Sequence, residues 1–199
     1  VGTVRGAQRT ELHDLRDTAG GRLVIEHIDI TVPDDIVTLR NRLVSRSFDL
    51  LFVNAGVANH ADETIAEVST EEFTRLMVTN ALSPMRVVEG LGGLVAANGT
   101  IAVMSSGQGS VANNEHGGFE IYRGSKAALN MFMRSYAARR DDSRTLLLMA
   151  PGWVKTRLGG PNARLTIEES IPNLVNVIDA QHGCGDLQYL DYLGMTVAW

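Results

Sequence analysis

Cysteine is almost missing from this chain: Cys184 is the single one in 199 residues. No disulfide can form within the chain, and a lone thiol is at home in a reducing compartment. Long apolar runs are missing too. The stretch from Leu91 to Asn114 carries no charge, but glycines and asparagines break it, so it cannot serve as a membrane span. Basic residues are outnumbered: 18 lysines and arginines stand against 23 acids, for a net charge of −5. They form no block, so neither nucleic acid nor a polybasic membrane contact is expected as a partner. None of the five histidines has an HxxxH or Cys/His companion, so no metal is expected. These absences lead to the expectation of a cytoplasmic protein.

What is present suits one globular domain over residues 1–199, with 44% hydrophobic and 21% charged residues. Val1 to Arg5 reads as a short strand. Arg9 to Ala19 is helical by pattern, Gly20-Gly21 stops it, and Arg22 to Ile28 alternates as a strand. Pro33 suits a helix start, and Ile36, Leu39, Leu43 and Val44 give that helix an apolar face. Phe48 to Val53 reads as a buried strand. A helix is expected from about Ser69, with Glu72 at the capping-box position, continuing past Pro84 toward Ala97. A strand at 100–105, a helix at about 119–140, a strand from Arg144 to Ala150, a helix near 167–181 and a strand around Leu187 to Asp191 complete the chain. Strands alternating with helices predict an α/β fold, a doubly wound parallel sheet with helices on both faces.

The chemistry gathers between Gly99 and Leu129. There a strand ends in Ser105-Ser106, a Gly/Asn-rich loop follows, and a helix carries Tyr122 and Lys126 four residues apart. Positions i and i+4 share a helix face, so a phenol and an ammonium stand side by side. A tyrosine of ordinary pKa, about 10, is a poor acid or base near neutrality. An adjacent cation is expected to lower it toward the working pH. A serine hydroxyl brought against this helix could hydrogen-bond the same substrate oxygen. Pro84 lacks an N–H, so a helix through it should free the carbonyl of Asn80, which could then hold a water.

Together with VNAG at 53–56, NALSP at 80–84 and PGWVKT at 151–156, in this order, these features resemble the short-chain dehydrogenase/reductase family in its classical branch. The resemblance implies a Rossmann-like fold and hydride exchange between a nicotinamide cofactor and a small-molecule carbonyl or alcohol. It assigns catalysis to Tyr122, Lys126, Ser106 and Asn80, the asparagine anchoring a water that links the lysine to solvent; Ser105 is the alternative to Ser106. It assigns cofactor contacts to Arg5, Asp29, Asn54, Ala55, Gly56, Tyr122, Lys126, Pro151, Gly152 and Thr156. An arginine after the first strand suits a 2′-phosphate, whereas an acid there would suit a ribose hydroxyl. No acid precedes Glu11, so NADP(H) is favoured over NAD(H). The segment 157–172 corresponds to the family's substrate lid, and the loop from Gly107 to Gly118 would form another wall, with Val111, His116 and Phe119 as contacts. Pairing through the long helices near 69–97 and 119–140 implies a homodimer or homotetramer.

One family feature is missing. The TGxxxGxG turn that cradles a pyrophosphate at a helix N-terminus is not found, and the first strand here matches the family's second. The expectation is a chain lacking its leading βα unit, roughly 30 residues. A non-catalytic nucleotide-binding or regulatory protein on this fold is the alternative function. An extended-type epimerase or dehydratase, which also uses YxxxK, ranks third, because little chain follows Lys126.

Overall fold

Glycine pairs, prolines and apolar periodicity divide the chain into six strands and six α-helices. A computed structural model describes residues 1–199. In chain order the elements are β1 (Gly2–Val4), α1 (Glu11–Thr18), β2 (Ile25–His27), α2 (Pro33–Leu43), β3 (Phe48–Val53), α3 (Thr70–Met77), α4 (Ser83–Leu91), β4 (Val95–Met104), α5 (Glu120–Arg139), β5 (Thr145–Ala150), α6 (Ile167–Ala180) and β6 (Leu187–Asp191). All strand pairs are parallel, in two sheets: β1-β2, and β3-β4-β5-β6.

Side chains alternate across the larger sheet, as a period of two requires. Ile101, Val103, Leu146, Leu148 and Tyr189 face a core closed by Leu39 of α2, Met85 and Val88 of α4, and Leu129 and Met133 of α5. Ala102, Leu147, Met149 and Leu190 face the other way, onto Leu174 and Ile178 of α6. Helices therefore cover both faces in a Rossmann-like arrangement. β5, a central strand, is buried at all its residues, as expected of a parallel strand covered on both sides. The smaller sheet joins the same core through Ile28 and the α2 residues Ile36, Leu39 and Leu43.

Several expectations need correction. β3 is not a buried strand: Leu50 and Phe52 are exposed, because β3 is an edge of its sheet, paired only to β4. The helix expected to run to Ala97 ends at Leu91, where Gly92-Gly93 turns the chain through a short 3₁₀ segment; β4 accordingly begins at Val95 rather than at 100. The Ser69 hydroxyl does cap α3 by accepting from Glu72 N at 3.1 Å. The Glu72 carboxylate, however, binds Arg75 at 2.7 Å instead of closing a capping box. Val44 lies just past α2 and is exposed. No helix is long and apolar enough to cross a membrane.

The contrast between β5 and β3 gives a stability test. Leu148→Ala, at a fully buried site, should cost about 2–5 kcal/mol in denaturant unfolding. Leu50→Ala, at a side chain 42% exposed, should cost under about 1 kcal/mol. Equal losses would contradict the edge position of β3.

Candidate active site

Helix α5 is aimed by its entry. Gly117 and Gly118 both take positive φ, and Phe119 follows in the left-handed region at φ 51°, a conformation costing a bulky residue on the order of 1–2 kcal/mol. The Phe119 ring offsets this by packing edge-on to Tyr122, with ring centroids 6.4 Å apart, beside Leu76 and Ile121. α5 thus starts with Tyr122 and Lys126 turned to the interior, 9% and 3% exposed.

The Lys126 ammonium donates to the carbonyl of Met104, the last residue of β4, at 2.9 Å. It lies 5.9 Å from the centre of the Tyr122 ring. Burial pushes the lysine pKa down to about 8. Burial also raises the Tyr122 pKa above its ordinary value, and the neighbouring Ser106 hydroxyl opposes that rise. The expectation that Lys126 would lower the tyrosine pKa is therefore corrected. The ammonium sits against the ring and points to Met104, and the loss of water around the phenol dominates.

The serine pair divides its tasks. Ser105 is buried and its hydroxyl donates to Asn130 Oδ1 at 2.6 Å. Ser106 is the serine beside Tyr122, and its Oγ also accepts from Gln108 N at 3.2 Å.

Asn80 lies in a five-residue π turn, Val78–Leu82, between α3 and α4, a distortion frequent at functional sites. Pro84 falls in the first turn of α4, and the backbone stays helical from α3 through this π turn, so Pro84 offers no N–H to the helix around Asn80. The fully buried Asn80 amide brackets Val57: Oδ1 accepts from Val57 N at 2.8 Å, and Nδ2 donates to Val57 O at 2.8 Å and to Ser125 Oγ at 2.9 Å. Gly56 is thereby drawn in so closely that a Cβ on it would stand 3.4 Å from Asn80 Oδ1 and 3.5 Å from Lys126 Nζ.

The remaining residues follow the C-terminal ends of the strands, where open α/β sheets bind ligands. Arg5 is exposed after β1. Asp29, after β2, accepts from Thr31 Oγ1 at 2.6 Å and Thr31 N at 2.9 Å; these bonds, with Arg5 nearby, hold its carboxyl below the usual range. Asn54, Ala55 and Gly56 are exposed after β3. Pro151-Gly152 follows β5; at φ 80° Gly152 passes so near the lid segment that a Cβ would stand 2.6 Å from Leu165 Cδ1. Thr156 accepts from Gly159 N at 3.0 Å, a local turn. Within the segment expected as a lid, 157–172, α6 begins at Ile167 behind a capping box of Thr166 and Glu169, and 157–166 lie outside helix and strand. Val111 and His116 are exposed on the 107–118 loop. Ser125 and Asn130 were not singled out from the sequence. Asn130 continues the Tyr122, Lys126 spacing by four, the one local signal it offers.

Lys126 yields a prediction with a definite sign. Its folded pKa, about 8, lies below the ordinary 10.5 of a lysine, so between these pH values the unfolded chain holds more protons than the folded one. Stability then rises with pH across that window, by at most about 1.4 kcal/mol per unit. Unfolding of the wild type and Lys126→Met at pH 7 to 10 should show the wild type gaining relative to the variant above pH 8; parallel curves would contradict the buried amine.

Comparison with known proteins places this geometry in a family. Residues 2–175 match a family model described as enoyl-(acyl carrier protein) reductase. The C-signal protein of Myxococcus xanthus is 36% identical over 154 residues, covering 76% of this chain and 92% of that protein. A structure described as a short-chain dehydrogenase/reductase of Burkholderia multivorans, solved with bound NADP, is 58% identical, with a TM-score of 0.98 over 100% of this chain and 87% of that one. A carbonyl reductase of Pseudomonas aeruginosa in complex with NADP is 34% identical, with a TM-score of 0.86 over 94% and 82% of the two chains. This chain therefore belongs to the short-chain dehydrogenase/reductase family of oxidoreductases.

Proposed function

We propose that the chain is an NADP(H)-dependent oxidoreductase interconverting a carbonyl and a secondary alcohol, with Tyr122 as general acid and base. One observation carries this reading: a phenol, a serine hydroxyl and a buried ammonium meet where β4 ends. The carbonyl reductase among the structural relatives supports the substrate class.

The residues present fit a nicotinamide dinucleotide. The exposed Asn54–Gly56 backbone suits a ribose, Asp29 an adenine amino group, and Pro151, Gly152 and Thr156 the nicotinamide end. Arg5, exposed beyond β1, suits a 2′-phosphate, and the Burkholderia and Pseudomonas relatives were solved with NADP. The relative affinities for NADPH and NADH test this choice. When bound, the nicotinamide supplies or accepts the hydride.

In reduction, Tyr122 gives its proton to the substrate oxygen while Ser106 donates a hydrogen bond to the same oxygen; in oxidation the proton returns to Tyr122. Lys126 presents its ammonium beside the phenol and to the nicotinamide ribose. The main-chain carbonyl of Asn80, which receives no N–H from Pro84, holds a water joining Lys126 to solvent. Residues 157–166, with Gly159, Gly160 and Pro161, act as the moving lid over the substrate.

Tyr122→Phe tests the central role. Turnover should fall by about 10²–10⁴-fold while NADPH binding and the unfolding midpoint persist; unchanged turnover would remove Tyr122 from the mechanism. A second reading, a nucleotide-binding regulatory protein without turnover, is favoured by the likeness to C-signal, whose name denotes a signal. Tight NADPH binding by a wild type inert toward carbonyls would favour that reading.

Phe73, Leu82, Met131 and Phe132, exposed on α3, the π turn and α5, support pairing of copies through these helices. Sedimentation at micromolar concentration should give a dimer or tetramer, and a monomer would contradict it.

A further inference from the structure

We propose that Asn130 and Tyr189 are positioning residues that grip the segment around Ser106, through the Ser105 hydroxyl and the Ser106 and Gly109 carbonyls, and hold the Ser106 hydroxyl against the Tyr122 phenol. The proposal rests on the catalytic reading above. Asn130 bridges the residues flanking the serine. Its Oδ1 accepts from the Ser105 hydroxyl at 2.6 Å and its Nδ2 donates to the Gly109 carbonyl at 3.2 Å. Tyr189, on β6, donates its hydroxyl to the carbonyl of Ser106 itself. The segment 105–109 is thus fixed before, at and after the serine by two side chains remote in sequence.

The fit is tight at one residue in particular. A Cβ on Gly109 would stand 2.9 Å from Asn130 Nδ2 and 3.0 Å from Lys126 Cβ. Only a glycine allows the loop to approach α5 that closely. The Tyr189 ring is in turn held by Trp199, with ring centroids 5.6 Å apart.

Stability gives a poor account of these two residues. Asn130 is 3% and Tyr189 1% exposed. A buried hydrogen bond contributes only about 1 kcal/mol net, and a polar group left unsatisfied costs more. Both residues nevertheless direct their polar atoms at residues 105–109, around the one serine beside Tyr122. Catalysis is sensitive to such placement, since a displacement of about 1 Å in a reacting group can cost 10²-fold.

Tyr189→Phe removes the hydroxyl and keeps the ring. The test is a double-mutant cycle in the full chain, with Y189F, S106A and the pair, using NADPH and p-nitrobenzaldehyde as probes. Y189F should lower kcat by about tenfold or more, with the KM for NADPH and the unfolding midpoint essentially unchanged. In the S106A background, Y189F should change kcat by less than about twofold, because the serine it positions is gone. Asn130→Ala should show the same kcat loss and the same dependence on Ser106, with a lower unfolding midpoint because it leaves buried groups unpaired, and Asn130→Gln, which keeps the amide, should recover part of the kcat loss. An unchanged kcat in Y189F, or the same fold loss with and without Ser106, would overturn the positioning role while leaving Tyr122 and Ser106 in the mechanism. Wild-type kcat in S106A would overturn the catalytic reading of the serine and this proposal together.

Discussion

The structure turns on one hydrogen bond, from the Lys126 ammonium to the Met104 carbonyl at 2.9 Å. A cation this deeply buried is costly in free energy, and its neighbours are arranged around it. Met104 ends β4, so the bond fastens the catalytic helix to the strand that delivers Ser105 and Ser106. Gly109 lacks the side chain that would crowd the lysine, and Asn80 holds Val57 in register through both polar atoms of its amide. Position is what the lysine contributes first.

Its electrostatic effect is subtler than the YxxxK spacing implies. Burial displaces both partners toward neutrality, the lysine pKa downward and the tyrosine pKa upward. A phenol that stays protonated is ready to give a proton to a carbonyl oxygen, the step that reduction requires. In the proposed mechanism the tyrosine starts as an acid rather than as a pre-ionised base.

Much of the layout was legible in the sequence because it is set locally. Glycines stop α1, Pro33 starts α2, and the apolar run in β5 marks a strand covered on both faces. The Tyr122 and Lys126 pair followed from helical spacing alone. The misses share a cause, dependence on what lies across the fold. β3 is apolar, yet its exposure is decided by having β4 as its single partner. The choice between Ser105 and Ser106 depends on Asn130, on another element, drawing one hydroxyl inward. Tyr189 reaches the Ser106 carbonyl over a separation of 83 residues, which no local pattern encodes. The π turn around Asn80, set in a backbone that stays helical from α3 into α4, carries no local signal beyond Pro84.

The most direct test is cofactor consumption by the full chain, with NADPH and NADH compared side by side over a panel of aldehydes and ketones. The account predicts carbonyl-dependent oxidation of NADPH, with NADH used more slowly because it offers no 2′-phosphate to Arg5. Absence of carbonyl-dependent oxidation with either nucleotide, in a folded protein that binds NADPH, would contradict the assignment of Tyr122, Ser106 and Lys126 to catalysis.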